Sequence, residues 1–333
     1  MADSKAKPRF NAGRRIRWLA AGIVLAFIAY SAGWYWLAGR VETETARFVA
    51  AEQTRGTAID CADRDVRGYP FRLEVFCTSL DVARPSDGLA VKAGAFRSAA
   101  QVYEPRRVYA ELDSPVAVES ALAGAMTFDW SLARATATVA QPMPEQASVA
   151  MEGLSVALGG IEKALFAAHA EAHMRLNKGD LDLAWRYEGL VLDEKLSGRS
   201  GLPVLAGDAD IKIEEGAALA AAGLQSLRGV SGEIRRLALL VTPDQGLLVS
   251  GPFSVRADGL VDAKLEVIVV DPAGFAQAFK PAFPEQAAKI DTLAAVPAQA
   301  GPDGTPEIKL PVTISGGNAT LGFIPLGRFP PLR

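Results

Sequence analysis

One stretch of 21 residues without a charged side chain, from Trp18 to Ala38, constrains this chain more than any other feature. As a helix rising about 1.5 Å per residue, it covers about the 30 Å of a bilayer's hydrocarbon core. Aromatic residues, which favour the lipid–water interface, stand at both ends, Trp18 at one and Trp34 and Trp36 at the other. The stretch predicts a transmembrane helix over residues 18–38, in contact with a lipid bilayer.

The charges around this helix predict its orientation. Residues 1–17 contain six basic residues and one acidic residue, a net charge of +5, so the other 316 residues carry −8 of the total of −3. Because basic flanks stay on the cytoplasmic side, we expect a cytoplasmic stub over 1–17 in the bacterial inner membrane. A helical stalk over 39–56 and a periplasmic domain over 57–333 would follow. Such an acidic domain is a poor partner for nucleic acid.

A cleavable signal peptide is the alternative interpretation of the N-terminus. A shorter apolar region, Leu19–Ile28, precedes Ala29-Tyr30-Ser31-Ala32, a small-residue pattern that resembles a peptidase site. The apolar stretch continues past that pattern into an aromatic cluster, which favours a retained anchor.

Beyond residue 56 the dominant hydrophobic period is two, which predicts half-buried antiparallel strands. With 50% hydrophobic residues, a wholly disordered chain is excluded. Turn residues separate the strand candidates, so we expect one long meander. Helices are predicted over 215–228 and, as a pair divided by prolines, over 271–296. The fold class is therefore β-dominated α+β, with a transmembrane helix, a long curved antiparallel sheet and a few packing helices. The main strand candidates are 89–103, 106–118, 125–139, 147–158, 163–176, 203–213, 233–242, 246–257, 260–270 and 307–323.

Two cysteines, Cys61 and Cys77, flank a strong turn signal, Arg67-Gly68-Tyr69-Pro70. A hairpin centred near Tyr69 would place the two sulfurs opposite one another and pair Arg64 with Glu74. A disulfide closing this loop would stabilise the fold by about 3 kcal/mol.

The same hairpin register has a weakness, because it sets Asp63 beside Val75 and Asp65 beside Leu73. A bulge or a slip of one residue therefore stays open, as does a pair of buried, unpaired thiols. A redox role is disfavoured, since no Cys-x-x-Cys spacing lowers a thiol pKa.

Motifs at both ends of the domain carry a family resemblance. They are Gly68-Tyr69-Pro70-Phe71-Arg72-Leu73 and the ending Gly317-Asn318-Ala319-Thr320-Leu321-Gly322-Phe323-Ile324-Pro325-Leu326-Gly327 with Pro330-Pro331. Together with the basic stub, single span and short helix, they resemble the bacterial family named domain of unknown function 2125. This resemblance implies a membrane-anchored envelope protein with a β-rich periplasmic domain, and it supplies no catalytic residues. A looser pattern is similar to AsmA-like periplasmic proteins, in which a curved sheet carries lipid.

The sharpest local pattern is a strand on which His169, Glu171, His173 and Arg175 alternate with small or apolar residues and so share one face. Two histidines spaced this way can chelate Zn²⁺, but catalytic zinc needs three protein ligands and an open position. A solvated polar face, with Glu171 bridging to Arg175 and neighbouring residues, is the favoured interpretation. No nucleophile elbow, phosphate loop, dinucleotide fingerprint or carboxylate pair is present, so no catalytic residue and no cofactor or metal is predicted.

The sequence thus favours binding over catalysis. The leading hypothesis is a non-catalytic, membrane-anchored envelope protein that binds lipid or another hydrophobic ligand on a concave sheet face. An interaction scaffold for envelope proteins is the alternative, and a zinc-dependent hydrolase around His169 and His173 is the third.

Overall fold

The computed structural model describes residues 12–121, 124–140, 143–221, 227–294, 297–301 and 304–332. It begins with a helix of 43 residues, α1 (Ala12–Thr54), which contains the uncharged run and continues beyond it. Within the described residues this is the one helix long and apolar enough to cross a membrane, which suggests a single-pass anchor. The chain turns after α1 at Gly56, whose φ of +85° lies in the region that favours glycine.

Strands dominate the rest of the chain, as the two-residue period predicts. Alternation of polar and apolar side chains makes each strand amphipathic, and the interruptions fall at turn residues. The first ten strands are short: β1 (Ala58–Cys61), β2 (Asp65–Arg67), β3 (Arg72–Cys77), β4 (Leu80–Arg84), β5 (Leu89–Ala93), β6 (Phe96–Gln101), β7 (Glu104–Leu112), β8 (Val116–Ser120), β9 (Gly124–Asp129) and β10 (Leu132–Thr138).

The later strands are longer, and four short α-helices interrupt them. The strands are β11 (Gln146–Leu158), β12 (Ile161–Asn177), β13 (Asp180–Leu192), β14 (Leu205–Ile213), β15 (Ser231–Thr242), β16 (Gln245–Val255), β17 (Val261–Val270), β18 (Gln299–Ala300), β19 (Pro306–Ser315), β20 (Asn318–Leu321) and β21 (Ile324–Arg328). The helices are α2 (Glu194–Ser197), α3 (Gly216–Ala221), α4 (Pro272–Phe279) and α5 (Ala287–Ala294), with 3-10 turns at Pro85–Asp87, Lys280–Ala282 and Pro284–Gln286.

All strands join one antiparallel meander, which confirms the expected fold class. Consecutive short strands are the two halves of five bent strands, β1–β2, β3–β4, β5–β6, β7–β8 and β9–β10. Each half pairs with one half of the next bent strand: β1 with β4, β2 with β3, β4 with β5, β3 with β6, β5 with β8, β6 with β7, β8 with β9 and β7 with β10. Both β9 and β10 then pair with the single long strand β11. From β11 to β17 each strand pairs with the next, and β19, β20 and β21 complete the sheet.

The interruptions of neighbouring strands lie side by side and form a bend line across the sheet. Backbone hydrogen bonds join Ala62 to Ser79 and Ser131 to Glu152 along this line. In β11 and β13 the line passes through Gly153 and Gly189, whose φ angles are +63° and +64°. Irregularities of this kind bend a strand and increase its local twist. The sheet is therefore a bent single layer rather than two packed layers.

The sheet encloses no thick core. The accessible surface of the chain is 21170 Å², against about 13,000 Å² for a compact monomer of this mass. The exposed helix α1 accounts for part of the excess. The rest reflects a sheet with solvent on two faces, since half of the buried apolar residues of the described chain are alanines.

The structure joins Cys61 and Cys77 in a disulfide, with their Cα atoms 5.2 Å apart. The predicted hairpin register is nevertheless wrong, because Cys61 pairs with Leu80 in the ladder and Arg67 pairs with Glu74. The sulfurs meet because the strand is interrupted between Cys61 and Asp65, where β1 ends and β2 begins. The disulfide thus ties the two halves of the first bent strands together at the bend line.

Other sequence predictions need correction in their bounds. Each strand predicted between residues 89 and 139 is divided by the bend line. The strand predicted over 307–323 is the hairpin β19–β20, since Gly316 and Gly317 adopt φ of +52° and +79°. The helix predicted over 215–228 is α3 at its start, residues 222–226 lie outside the described residues, and 227–228 are not helical.

Candidate functional site

One face of the sheet is apolar across nearly its whole width. Because directly opposite residues of paired strands share a face, the register assigns the rows of this face. No charged side chain occurs in its two central rows. The first row is Val149, Ala172, Trp185, Ala209, Leu237, Val249, Val267 and Leu310, and the second is Met151, Ala170, Tyr187, Gly207, Leu239, Leu247, Val269 and Ile308.

This apolar face is not sealed by the rest of the described chain. The aromatic side chain in its centre, Trp185, is 37% exposed, and its neighbours Val149 and Leu237 are only half-buried. Helix α4 contacts β16, β17 and β19. The 3-10 turns after it contact the loop between β13 and β14, where Arg199 donates to the carbonyl oxygen of Ala282 and pairs with Glu285. The expected helical cover therefore follows one edge of the sheet from β19 to the end of β13. Exposed contiguous apolar area of this kind marks an interaction surface.

The apolar face begins at helix α1. Trp34 is 5% exposed and packs with Ala38 and with Leu73 of β3, and Val66 of β2 completes the contact. The indole Nε1 of Trp34 donates a hydrogen bond to the carbonyl oxygen of Arg72, at 3.0 Å. Its place at the end of the uncharged stretch predicts only an interfacial position for Trp34, so sequence reasoning misses its contact with the sheet. Only the tertiary contact with the hairpin could have revealed it.

The opposite face is polar and carries the histidine pattern. His169, Glu171 and His173 lie together, with both imidazole Nε2 atoms 3.5 Å from Glu171 Oε2. The Nδ1 atoms have separate partners, Glu152 at 2.8 Å and Ser148 at 2.8 Å. Each histidine is thus held by partners on β11 and β12.

Arg175 does not bridge to Glu171, contrary to the sequence interpretation. Its Nη2 donates to Asp182 of the neighbouring strand β13, at 3.0 Å. None of the described His, Cys, Asp and Glu side chains form a group of three that could hold a metal ion.

His169 titrates in an anionic setting. Its hydrogen bond to Glu152 raises the pKa of the imidazole, Glu171 adds to the rise, and partial burial opposes it. Because the pKa is raised in the folded state, protonated His169 stabilises the fold at pH values below the ordinary pKa of histidine. This stabilisation is lost as the pH rises through the raised pKa. We expect Glu152→Gln to lower the His169 midpoint, measured by NMR titration. An unchanged midpoint would show that Glu152 does not set this pKa.

A second polar cluster surrounds Asp182, whose side chain is 9% exposed. It accepts hydrogen bonds from Arg175 at 3.0 Å and from Arg235 at 2.7 Å. Burial disfavours the carboxylate, but these two hydrogen bonds hold the pKa of Asp182 below its ordinary value. Arg235 also donates to Asp210 at 2.9 Å. The cluster lines a shallow depression of about 320 Å³ that His173 borders.

The Asp182 cluster predicts unequal effects for two adjacent arginines. Arg235→Ala removes one of two cationic partners from a nearly buried carboxylate, so we expect a loss of about 1–3 kcal/mol of unfolding free energy. Arg236→Ala breaks a more exposed pair with Asp208 and should cost less than about 1 kcal/mol. Chemical denaturation of the two variants measures both values, and equal losses would contradict a structural role for Asp182.

Comparison with known proteins identifies one family. A family model described as "Uncharacterized protein conserved in bacteria (DUF2125)" matches residues 34–330, which is most of the chain. A search of curated proteins found no match, and a search of solved structures found none. The matched residues include the end of the apolar run and the whole sheet, so the resemblance inferred from the motifs is confirmed.

Proposed function

The chain belongs to the bacterial family DUF2125, and we propose from its geometry that it is a non-catalytic, membrane-anchored envelope protein that holds lipid on its apolar sheet face. The observation that carries this proposal is the uncovered apolar face, which begins at the helix that enters the bilayer. Two rows without charge cross eight paired strands from β11 to β19. Such a surface favours hydrocarbon over water.

The dimensions of this face suit acyl chains. At about 4.8 Å per strand spacing, the eight strands span about 34 Å. One leaflet contributes half of the about 30 Å hydrocarbon core of a bilayer, so two acyl chains fit end to end along the rows. Each buried methylene contributes about 0.8 kcal/mol.

The proposed topology places the sheet in the periplasm. The net charge of +5 on residues 1–17 favours a cytoplasmic N-terminus. The Cys61–Cys77 disulfide suits an oxidising compartment on the other side of the membrane. With α1 as a stalk, the apolar face would begin beside the outer leaflet of the inner membrane.

Site-specific photo-crosslinking tests the proposal in living cells. A benzophenone amino acid at position 185 lies on the apolar face, whereas the same probe at the adjacent Arg186 lies on the polar face. We expect phospholipid adducts at 185 at least tenfold more abundant than at 186, measured by mass spectrometry. Equal or absent lipid adducts at 185 would overturn lipid binding on this face.

A scaffold for envelope proteins is the second candidate, and the far end of the sheet favours it. Phe323 is fully exposed at the turn between β20 and β21, and Ile324 and Leu326 of β21 are 61% and 55% exposed. This exposed apolar turn between β20 and β21 suits a protein partner. Stoichiometric protein adducts from a probe at Phe323, with no lipid adduct at 185, would support the scaffold instead.

A further inference from the structure

The turn between β2 and β3 folds back against the membrane helix. Ser31 and Tyr69 share a hydrogen bond between hydroxyls at 2.7 Å, and the Tyr30 hydroxyl donates to the carbonyl oxygen of Pro70 at 2.5 Å. The Tyr69 ring stacks on Tyr35, with centroids 5.8 Å apart. This turn contains the Gly-Tyr-Pro-Phe motif, so the motif serves to hold the tip of the sheet on α1.

Glycine is required at the start of this turn. Gly68 adopts φ of +107°, and a Cβ atom there would lie 2.7 Å from Cγ and 2.8 Å from the carbonyl oxygen of Arg72. The resulting tight turn leaves Tyr69 facing the helix and directs the next aromatic residue, Phe71, outward.

Two aromatic side chains at this edge have little protein contact. Phe71 is 71% exposed, and Tyr103, in the turn between β6 and β7, is 77% exposed. The backbone N–H of Val102 donates to the carbonyl oxygen of Phe71 at 3.1 Å, so the two turns are adjacent. These two exposed aromatic residues on adjacent turns are defined here as the aromatic tip.

The position of the aromatic tip along α1 indicates that the tip contacts the lipid bilayer. Tyr30 and Ser31, which contact the turn, lie inside the uncharged stretch 18–38, eight and seven residues before its end. At about 1.5 Å per residue, these two residues lie about 11 Å before the end of the stretch. If residues 18–38 span a bilayer, the turn that contacts them therefore lies at the depth of the leaflet that receives the C-terminal end of α1, and not above it. Exposed aromatic side chains favour the lipid leaflet and its interface over water.

We propose that Phe71 and Tyr103 insert into the same leaflet that receives the C-terminal end of the membrane helix. The sheet is then attached to the bilayer at two places, by α1 and by the aromatic tip. This fixes the orientation of the sheet and places the start of the apolar face at the lipid surface. The inference goes beyond ligand binding and depends on α1 spanning the bilayer, not on lipid occupying the apolar face.

Photo-crosslinking of the full chain in nanodiscs of phosphatidylethanolamine and phosphatidylglycerol tests this inference. The benzophenone probe is placed singly at 71, at 103 and, as control, at Phe323. In a meander successive turns alternate between the two edges, which puts Phe323 on the opposite edge at the far end of the sheet. We expect lipid adducts at 71 and 103 at least fivefold above those at 323.

The outcomes separate this inference from the proposed function. Lipid adducts at 71 and 103 without adducts at 185 support membrane insertion of the tip alone. Adducts at 185 without adducts at 71 and 103 overturn it, and so does a crosslinked dimer of the chain in place of lipid adducts. Because 71 and 103 lie in different turns, a folding defect in one variant leaves the other as a test, with its melting temperature as the check.

Discussion

Under the proposed lipid-binding function, Val249→Lys is expected to reduce the phospholipid recovered with the chain by at least tenfold. Val249 lies in the first central row between Leu237 and Val267. A lysine there places an ammonium group where acyl chains would lie, and burying an unpaired charge under hydrocarbon costs several kcal/mol. Each 1.4 kcal/mol corresponds to a factor of ten in binding.

The next residue supplies a matched control. Ser250 lies on the opposite, polar face and pairs with Glu266, so Ser250→Lys adds the same charge beside an acidic neighbour. Lipid adducts at position 185, counted by mass spectrometry in each background, should fall in Val249→Lys and persist in Ser250→Lys. A similar fall in both variants, or in neither, would speak against the apolar face as the binding surface.

Removing the disulfide is expected to give the largest loss of stability. Cys77→Ser opens a loop of about 16 residues and should lower the free energy of unfolding by about 3 kcal/mol. Cys77 is also almost fully buried, at 2% exposure, so the serine hydroxyl adds a desolvation penalty.

A second variant separates these two contributions. Cys61 is only half-buried, so Cys61→Ser should show the disulfide loss with little added penalty. Denaturation of the wild type in reducing and oxidising buffer provides the reference for the bond alone. Identical stabilities for the reduced and oxidised protein would contradict a structural role for this disulfide.

The strands could be predicted because polar and apolar side chains alternate along most of each long strand. His169, Glu171, His173 and Arg175 do share a face, as their spacing indicates. Their partners could not be predicted, since these depend on the register of neighbouring strands. Arg175 meets Asp182 for that reason.

The first hairpin shows why its register could not be derived locally. The sequence predicts a turn centred on Tyr69, but the turn comprises the four residues 68–71 and packs against α1. The register consequently shifts by three residues and pairs Val66 with Val75 on the apolar face and Asp65 with Phe76. Asp65 still lies opposite an apolar residue, but on the polar face, where the Arg67 guanidinium stacks over the Phe76 ring. Contact between distant segments decided the outcome.

A density map of the full chain in lipid nanodiscs would show whether lipid occupies the apolar face of the sheet. We expect elongated density along the row through Val149, Trp185 and Leu237, continuous with the leaflet beside Trp34. A bare face, or one covered by a protein segment or a second copy of the chain, would contradict lipid binding.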